Sequence, residues 1–153
     1  MRGRITIAAV LLGALCLLGN VHNFENPVSN PSIALFEMVE VPQPVRTILN
    51  RSCADCHTNN THWPWYSKFP VIGSMIEAHV RKGRAELNLS EWRKHLDQGR
   101  EEAASRISGI CELSMTRTMP PTGYLALHPD ARLSAQEIDT LCRWSTALQT
   151  KMQ

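Results

Sequence analysis

At 153 residues the chain has room for an N-terminal segment and one domain of about 130 residues, enough to bury a real core. Its formal charge of +2 comes entirely from Arg2 and Arg4, because the remaining basic and acidic side chains cancel. That balance leaves no basic footprint for nucleic acid and excludes that class of partner.

The first elements read as an export signal. Met1-Arg2-Gly3-Arg4 precedes an apolar run from Ile5 to Leu18, the order of a charged n-region and an h-region. Fourteen helical residues span about 21 Å, short of the roughly 30 Å hydrocarbon core. Extending the run through Val21 gives a marginal anchor, while Leu17-Leu18-Gly19 is a poor cleavage site, so residues 1–21 read as a signal peptide or a membrane anchor. A lipid-modified Cys16 is disfavoured by Leu15, where a small residue is expected. Each reading places the rest of the chain outside the cytoplasm, in the periplasm, anchored to the inner membrane by residues 5–21 where the segment is retained.

Residues 22–44 carry Pro27, Pro31, Pro42 and Pro44 among several Asn and Ser residues, and they read as an extended tether. The domain is expected over residues 45–150. A helix begins at Val45, with Ile48, Leu49 and then Ser52 to Cys53 on one stripe. A second is expected from Val71 to Glu86, with Ile72, Met75, Ile76, His79, Val80 and Gly83 on one face and Leu87 just past its end. The third spans about Glu101 to Ser114, with Ala103, Ala104, Ile107, Ile110 and Cys111 inward. The last starts at a capping box, Ser134-Ala135-Gln136-Glu137, with Leu133 and Ile138 as the hydrophobic staple. Its inner face is Ile138, Leu141, Cys142, Ser145 and Leu148. Helical periods without strand signals indicate an all-α fold.

The first stripe runs into Cys53-Ala54-Asp55-Cys56-His57. Cys-x-x-Cys-His is the attachment signal for c-type haem. Thiols three residues apart share one face of a helical turn and can add to the two vinyl groups of one porphyrin. His57 then lies where an imidazole can bind iron. Zinc would need further paired ligands, yet Cys111 and Cys142 stand alone in sequence. A thioredoxin-like motif would need a βαβ setting, and a Cys53–Cys56 disulfide would leave His57 without a purpose.

For the other face of the iron the sequence offers Met119, followed by Pro120 and Pro121. A thioether is a soft ligand that raises the potential, and the two prolines stiffen the loop that carries it. Rival ligands are His79, then His62, His95 and His128, with Met115 as a lesser one. Trp63, Trp65 and Tyr66 are expected against the porphyrin, as walls or as a core plug. Arg84 is expected either at a haem propionate or as a solvated residue at a helix end. Cys111 and Cys142 both fall on inward helix faces of an exported chain, which predicts a disulfide.

Taken together, these motifs resemble the haem-binding domain family related to bacterial cytochromes c. The matching stretches are Cys53-x-x-Cys56-His57-Thr58-Asn59-x-Thr61, Trp63-Pro64-Trp65-Tyr66-Ser67, Gly83-Arg84-x-x-Leu87-Asn88-x-Ser90-x-Trp92, Met119-Pro120-Pro121, and Tyr124-x-x-x-His128-Pro129-x-Ala131-x-Leu133-Ser134. They cover about residues 40–145. One departure is Val71-Ile72 after Pro70, where the family often carries a tryptophan. The resemblance implies a periplasmic domain with one covalent haem c and corresponds Met119 to the family's Met-Pro methionine. The expected activity is one-electron transfer with redox partner proteins, an electron carrier rather than an enzyme. The alternative is a haem peroxidase or a gas or redox sensor whose sixth ligand is open or displaceable.

Overall fold

The computed structural model describes residues 33–153; the expected signal or anchor, residues 1–21, lies outside them. Among the described residues all regular structure is helical. The helices are α1 (Ala34–Met38), α2 (Gln43–Ser52), α3 (Ala54–His57), α4 (Pro70–Glu86), α5 (Trp92–Gln98), α6 (Arg100–Met115), α7 (Thr122–Leu127) and α8 (Ala135–Met152). Short 3-10 turns at Trp65–Lys68, Leu89–Glu91 and Pro129–Ala131 lie between them. The described chain divides into two compact units, residues 63–79 and residues 33–62 with 80–153.

The larger unit holds the core. α2 buries Val45, Ile48, Leu49 and Ser52, the expected stripe. α6 buries Ala103, Ala104 and Ile107, and α8 buries Ile138, Leu141, Ser145 and Leu148, again as the 3.6-residue period requires. α8 begins at the expected capping box: Ser134 Oγ accepts from Glu137 N–H at 3.2 Å, and the Glu137 carboxylate accepts from Ser134 N–H at 2.8 Å. α6 and α8 pack along each other and are joined by the Cys111–Cys142 disulfide, with Cα atoms 4.5 Å apart.

Part of the expected tether is core instead. α1 lies inside residues 22–44, and Leu35 and Val41 are 0% and 4% exposed. Arg46 on α2 clamps this stretch, donating to the carbonyls of Val41 at 2.8 Å and Phe36 at 3.0 Å while its guanidinium lies over the Phe36 ring. A helix of five residues is too short to show a period, and the flanking prolines read as linker.

The apolar face that the period gives α4 is largely uncovered. Only Val80 is buried among its large apolar residues, whereas Val71, Ile72 and Met75 are exposed, as is His79. α5, with Leu89 and Trp92 fully buried just before it and at its start, is an element that the periodicity left out. Its seven residues are bounded by Gly99, whose φ of 133° only glycine adopts without strain.

Candidate haem site

α2 delivers the motif and then stops. Cys53 leaves helical geometry at φ −127°, and α3 restarts as a single turn in which His57 N–H donates to Cys53 O at 3.0 Å. The turn sets Cys53 and Cys56 at the i, i+3 spacing that two attachment thiols require. Both cysteines are free and half-buried. Burial, then the neighbouring Cys56, pushes the Cys53 thiol up to about 12, against a small opposing effect of Arg51. Burial and Asp55 raise Cys56 as well, with Arg84 opposing. A redox dithiol needs a depressed thiol, so this pair is set against that chemistry and keeps its protons.

His57 is oriented from behind. Its Nδ1 lies 2.9 Å from the carbonyl of Leu87; the carbonyl can only accept, so Nδ1 carries the proton and Nε2 keeps its lone pair. Burial lowers the imidazole below its ordinary value, opposed by the Leu87 and Gly83 carbonyls and by Glu86. A neutral ring held by one N–H is the form a metal ligand takes. α4 reaches this turn because residue 83 is glycine: a Cβ there would sit 2.7 Å from Cys56 O and 3.2 Å from Cys56 Cβ.

A buried polar layer fixes the Leu87 carbonyl in turn. Asn88 N–H donates to His95 Nε2 at 2.9 Å, and the Asn88 amide donates to Asn59 Oδ1 at 2.8 Å. Asn59 N–H donates to Ser90 Oγ at 3.1 Å and its amide to Glu91 Oε1 at 3.2 Å. His95 Nε2 is thus engaged as an acceptor, which removes this residue from the set of iron ligands. Sequence reasoning gave Asn59 and Asn88 no role of their own and offered His95 only as a rival ligand; the signal was the small polar residues after the motif, each of which needs a partner once buried.

Arg84 is not the solvated residue expected at the end of α4. Its Nε donates to Thr58 O at 2.8 Å and its Nη2 to Thr61 Oγ1 at 2.9 Å, closing the loop that follows the motif. Thr58 and Thr61 hydroxyls donate back to the carbonyls of Ala54 and Asp55 at 2.7 and 2.6 Å.

Met119 is half-buried at the far end of α6. That helix ends in a Schellman motif: Arg117 N–H donates to Ser114 O at 3.2 Å and Thr118 N–H to Leu113 O at 3.0 Å. Arg117 takes the left-handed position at φ 57°, and its guanidinium donates to Leu133 O at 2.8 Å. Met119 N–H also reaches Leu113 O at 3.0 Å, and the Met119-Pro120 peptide is cis. Met115, the lesser alternative, is 66% exposed.

Trp63, Trp65 and Tyr66 belong to the smaller unit. Trp65 packs edge-on to Tyr66 and Phe69, with ring centroids 5.8 and 6.0 Å apart. Trp65 is 73% exposed, so it is no core plug. Two of the other rival ligands, His62 and His128, contact Asp55 and Tyr124 respectively. Among the described residues no cluster of three His, Cys, Asp or Glu side chains is placed to hold a metal ion. The donor set on the α3 turn therefore fits a group that brings its own iron: two neutral thiols and one oriented imidazole.

Comparison with known proteins supports haem binding. Over 148 residues, 94% of its length, the chain is 27% identical to the cytochrome c peroxidase Ccp of Escherichia coli (strain K12). It spans 32% of that relative. No solved structure matches the chain. The family described as "Haem-binding domain" matches residues 13–147, and the chain belongs to that family.

Proposed function

We propose that the protein is an exported c-type monohaem protein that passes single electrons. Cys53 and Cys56 would hold the porphyrin through two thioether bonds, and His57 and Met119 would be the axial ligands. The observation that carries this reading is the α3 turn, where two free thiols stand three residues apart beside an imidazole whose Nδ1 is committed to Leu87 O.

When bound, haem supplies the one-electron Fe(III)/Fe(II) couple. The chain's own residues do the rest. The Leu87 carbonyl keeps the proton on Nδ1 of His57 and the ring in one orientation, while Gly83 lets α4 close against Cys56. If His57 and Met119 both held the iron, they would leave no place for substrate on it, which favours a carrier whose partners are redox proteins. The export reading, and the inner membrane as anchor through residues 5–21, rest on the N-terminal sequence.

A second reading, a haem peroxidase or a gas or redox sensor, draws on the name of the Escherichia coli relative. An optical spectrum decides between them. The carrier predicts a weak far-red band in the oxidised protein that disappears in Met119→Ala, and only weak carbon monoxide binding to the reduced native protein. Ready carbon monoxide binding by the native protein would favour the second reading.

A further inference from the structure

Two segments far apart in sequence meet at one carboxylate. Asp55 sits between the two attachment cysteines, and its Oδ2 accepts from the Tyr124 hydroxyl at 2.8 Å across 69 positions of sequence. Its Oδ1 accepts from His62 N–H at 3.1 Å and from His62 Nδ1 at 3.0 Å. Its main-chain carbonyl takes the Thr61 hydroxyl. Tyr124 is itself braced by a stacked His128 ring, with centroids 4.2 Å apart and planes at 12°.

Tyr124 lies in the first turn of α7, where Leu125 N–H donates to Pro121 O at 3.0 Å. Between the tyrosine and Met119 stand only Pro120, Pro121, Thr122 and Gly123. The loop is therefore secured at both ends. Upstream it is held by the Schellman end of α6 and by Arg117 on Leu133 O. Downstream, Tyr124 ties it to the haem-attachment turn itself.

We propose that the Tyr124–Asp55 hydrogen bond is a clasp that holds the Met119 loop to the attachment turn, and so sets how readily the sixth coordination position opens. The inference rests on the reading that Met119 ligates the iron. Neither residue ligates; both are positioning residues. A hydrogen bond to a charged acceptor is among the stronger single contacts, and this one joins the two sides that a haem bound by His57 and Met119 would bridge.

The test uses the full-length, haem-loaded protein. Tyr124→Phe should keep its covalent haem, by staining after denaturing electrophoresis, and its helix content. Its far-red band should weaken, and carbon monoxide affinity of the reduced form should rise on the order of tenfold or more, the equivalent of one hydrogen bond to a charged acceptor. Asp55→Ala removes the other partner and should do the same, serving also if Tyr124→Phe does not accumulate. The double variant should be no worse than Asp55→Ala alone, because Tyr124→Phe removes a bond that Asp55→Ala has already lost together with the His62 contacts. Asp55→Asn, which keeps an oxygen acceptor, should recover part of the band. A wild-type protein without the band refutes Met119 ligation itself. A wild-type band together with unchanged carbon monoxide affinity in the variants overturns the clasp and leaves Met119 ligation standing.

Discussion

The surroundings of His57 and of Met119 are built on different principles. His57 is backed by a continuous buried layer, in which Leu87, Asn88, Asn59, Ser90, Glu91 and His95 each satisfy another's polar group. Met119 hangs from the end of a helix and from one tyrosine, between an exposed Thr118 and a buried Pro120. A layer with many mutual bonds changes little when one bond opens, whereas a loop held at two points responds to either. The difference teaches that the surroundings of His57 are made to stay and those of Met119 are made to be adjustable.

The largest effect expected on that contrast comes from Cys53→Ala with Cys56→Ala. The pair should abolish haem staining on denaturing gels altogether, while Met119→Ala should leave staining intact. Next is reduction of Cys111–Cys142, which opens a loop of 31 positions and should cost about 3 to 4 kcal/mol in the chain-entropy account. Because the bond joins α6 and α8 on either flank of the Met119 loop, reduction should also weaken the far-red band without releasing haem. Thermal unfolding with and without reductant measures both.

Gly83→Ala sharpens the comparison from the other side. The new Cβ would meet Cys56 O at 2.7 Å, and relieving such overpacking typically costs about 1 to 3 kcal/mol. The expected outcome is a lower melting temperature and a lower yield of haem-loaded protein, with the far-red band unchanged per haem.

Acid should act on His95, in the layer behind His57, and on Glu137, at the start of α8, at different pH. Burial, then Arg106, holds His95 below its ordinary 6.5, with Gln98, Glu91 and Glu102 opposing. The folded state thus prefers the neutral ring that accepts from Asn88, while the unfolded chain takes the proton. Stability from this group is complete above the ordinary histidine value and is lost as pH falls below it. His95→Gln should flatten the change in melting temperature between pH 7 and pH 5. Glu137 acts lower and more weakly. Hydrogen bonds from Arg51 and then Ser134 hold its carboxyl down to about 2 from 4.5, so its contribution is full above 4.5 and fades towards 2. Discounted for solvent, the half-exposed pair is worth about 1 kcal/mol, read as the difference between wild type and Glu137→Gln at pH 6 and pH 3.

Much of this was legible in the sequence where the signal is local. The capping box at Ser134 and the stripes of α2, α6 and α8 need only neighbours within two turns, and the Cys111–Cys142 pairing follows from two such stripes facing inward. The α3 turn is a five-residue signal. What escaped were partners distant in sequence. Nothing near Asp55 announces Tyr124, and nothing near Leu87 says that its carbonyl will be taken by a histidine thirty positions earlier. The end of α6 was hidden for another reason: its left-handed position carries Arg117 where glycine is the usual sign. The face of α4 failed because Ile72 and Met75 have helical spacing whether or not anything covers them.

The burial of Leu35 and Val41 bears on how far the folded body can stand from a bilayer. Counted from Val21, the expected tether is cut back from residues 22–44 to the eleven numbered 22–32, a length of chain that could span at most about 36 to 40 Å. Under the proposal that residues 5–21 anchor the chain, a domain on so short a lead would meet its partners close to the lipid surface. A fragment that begins at Pro44 loses the Leu35 and Val41 side chains from its interior.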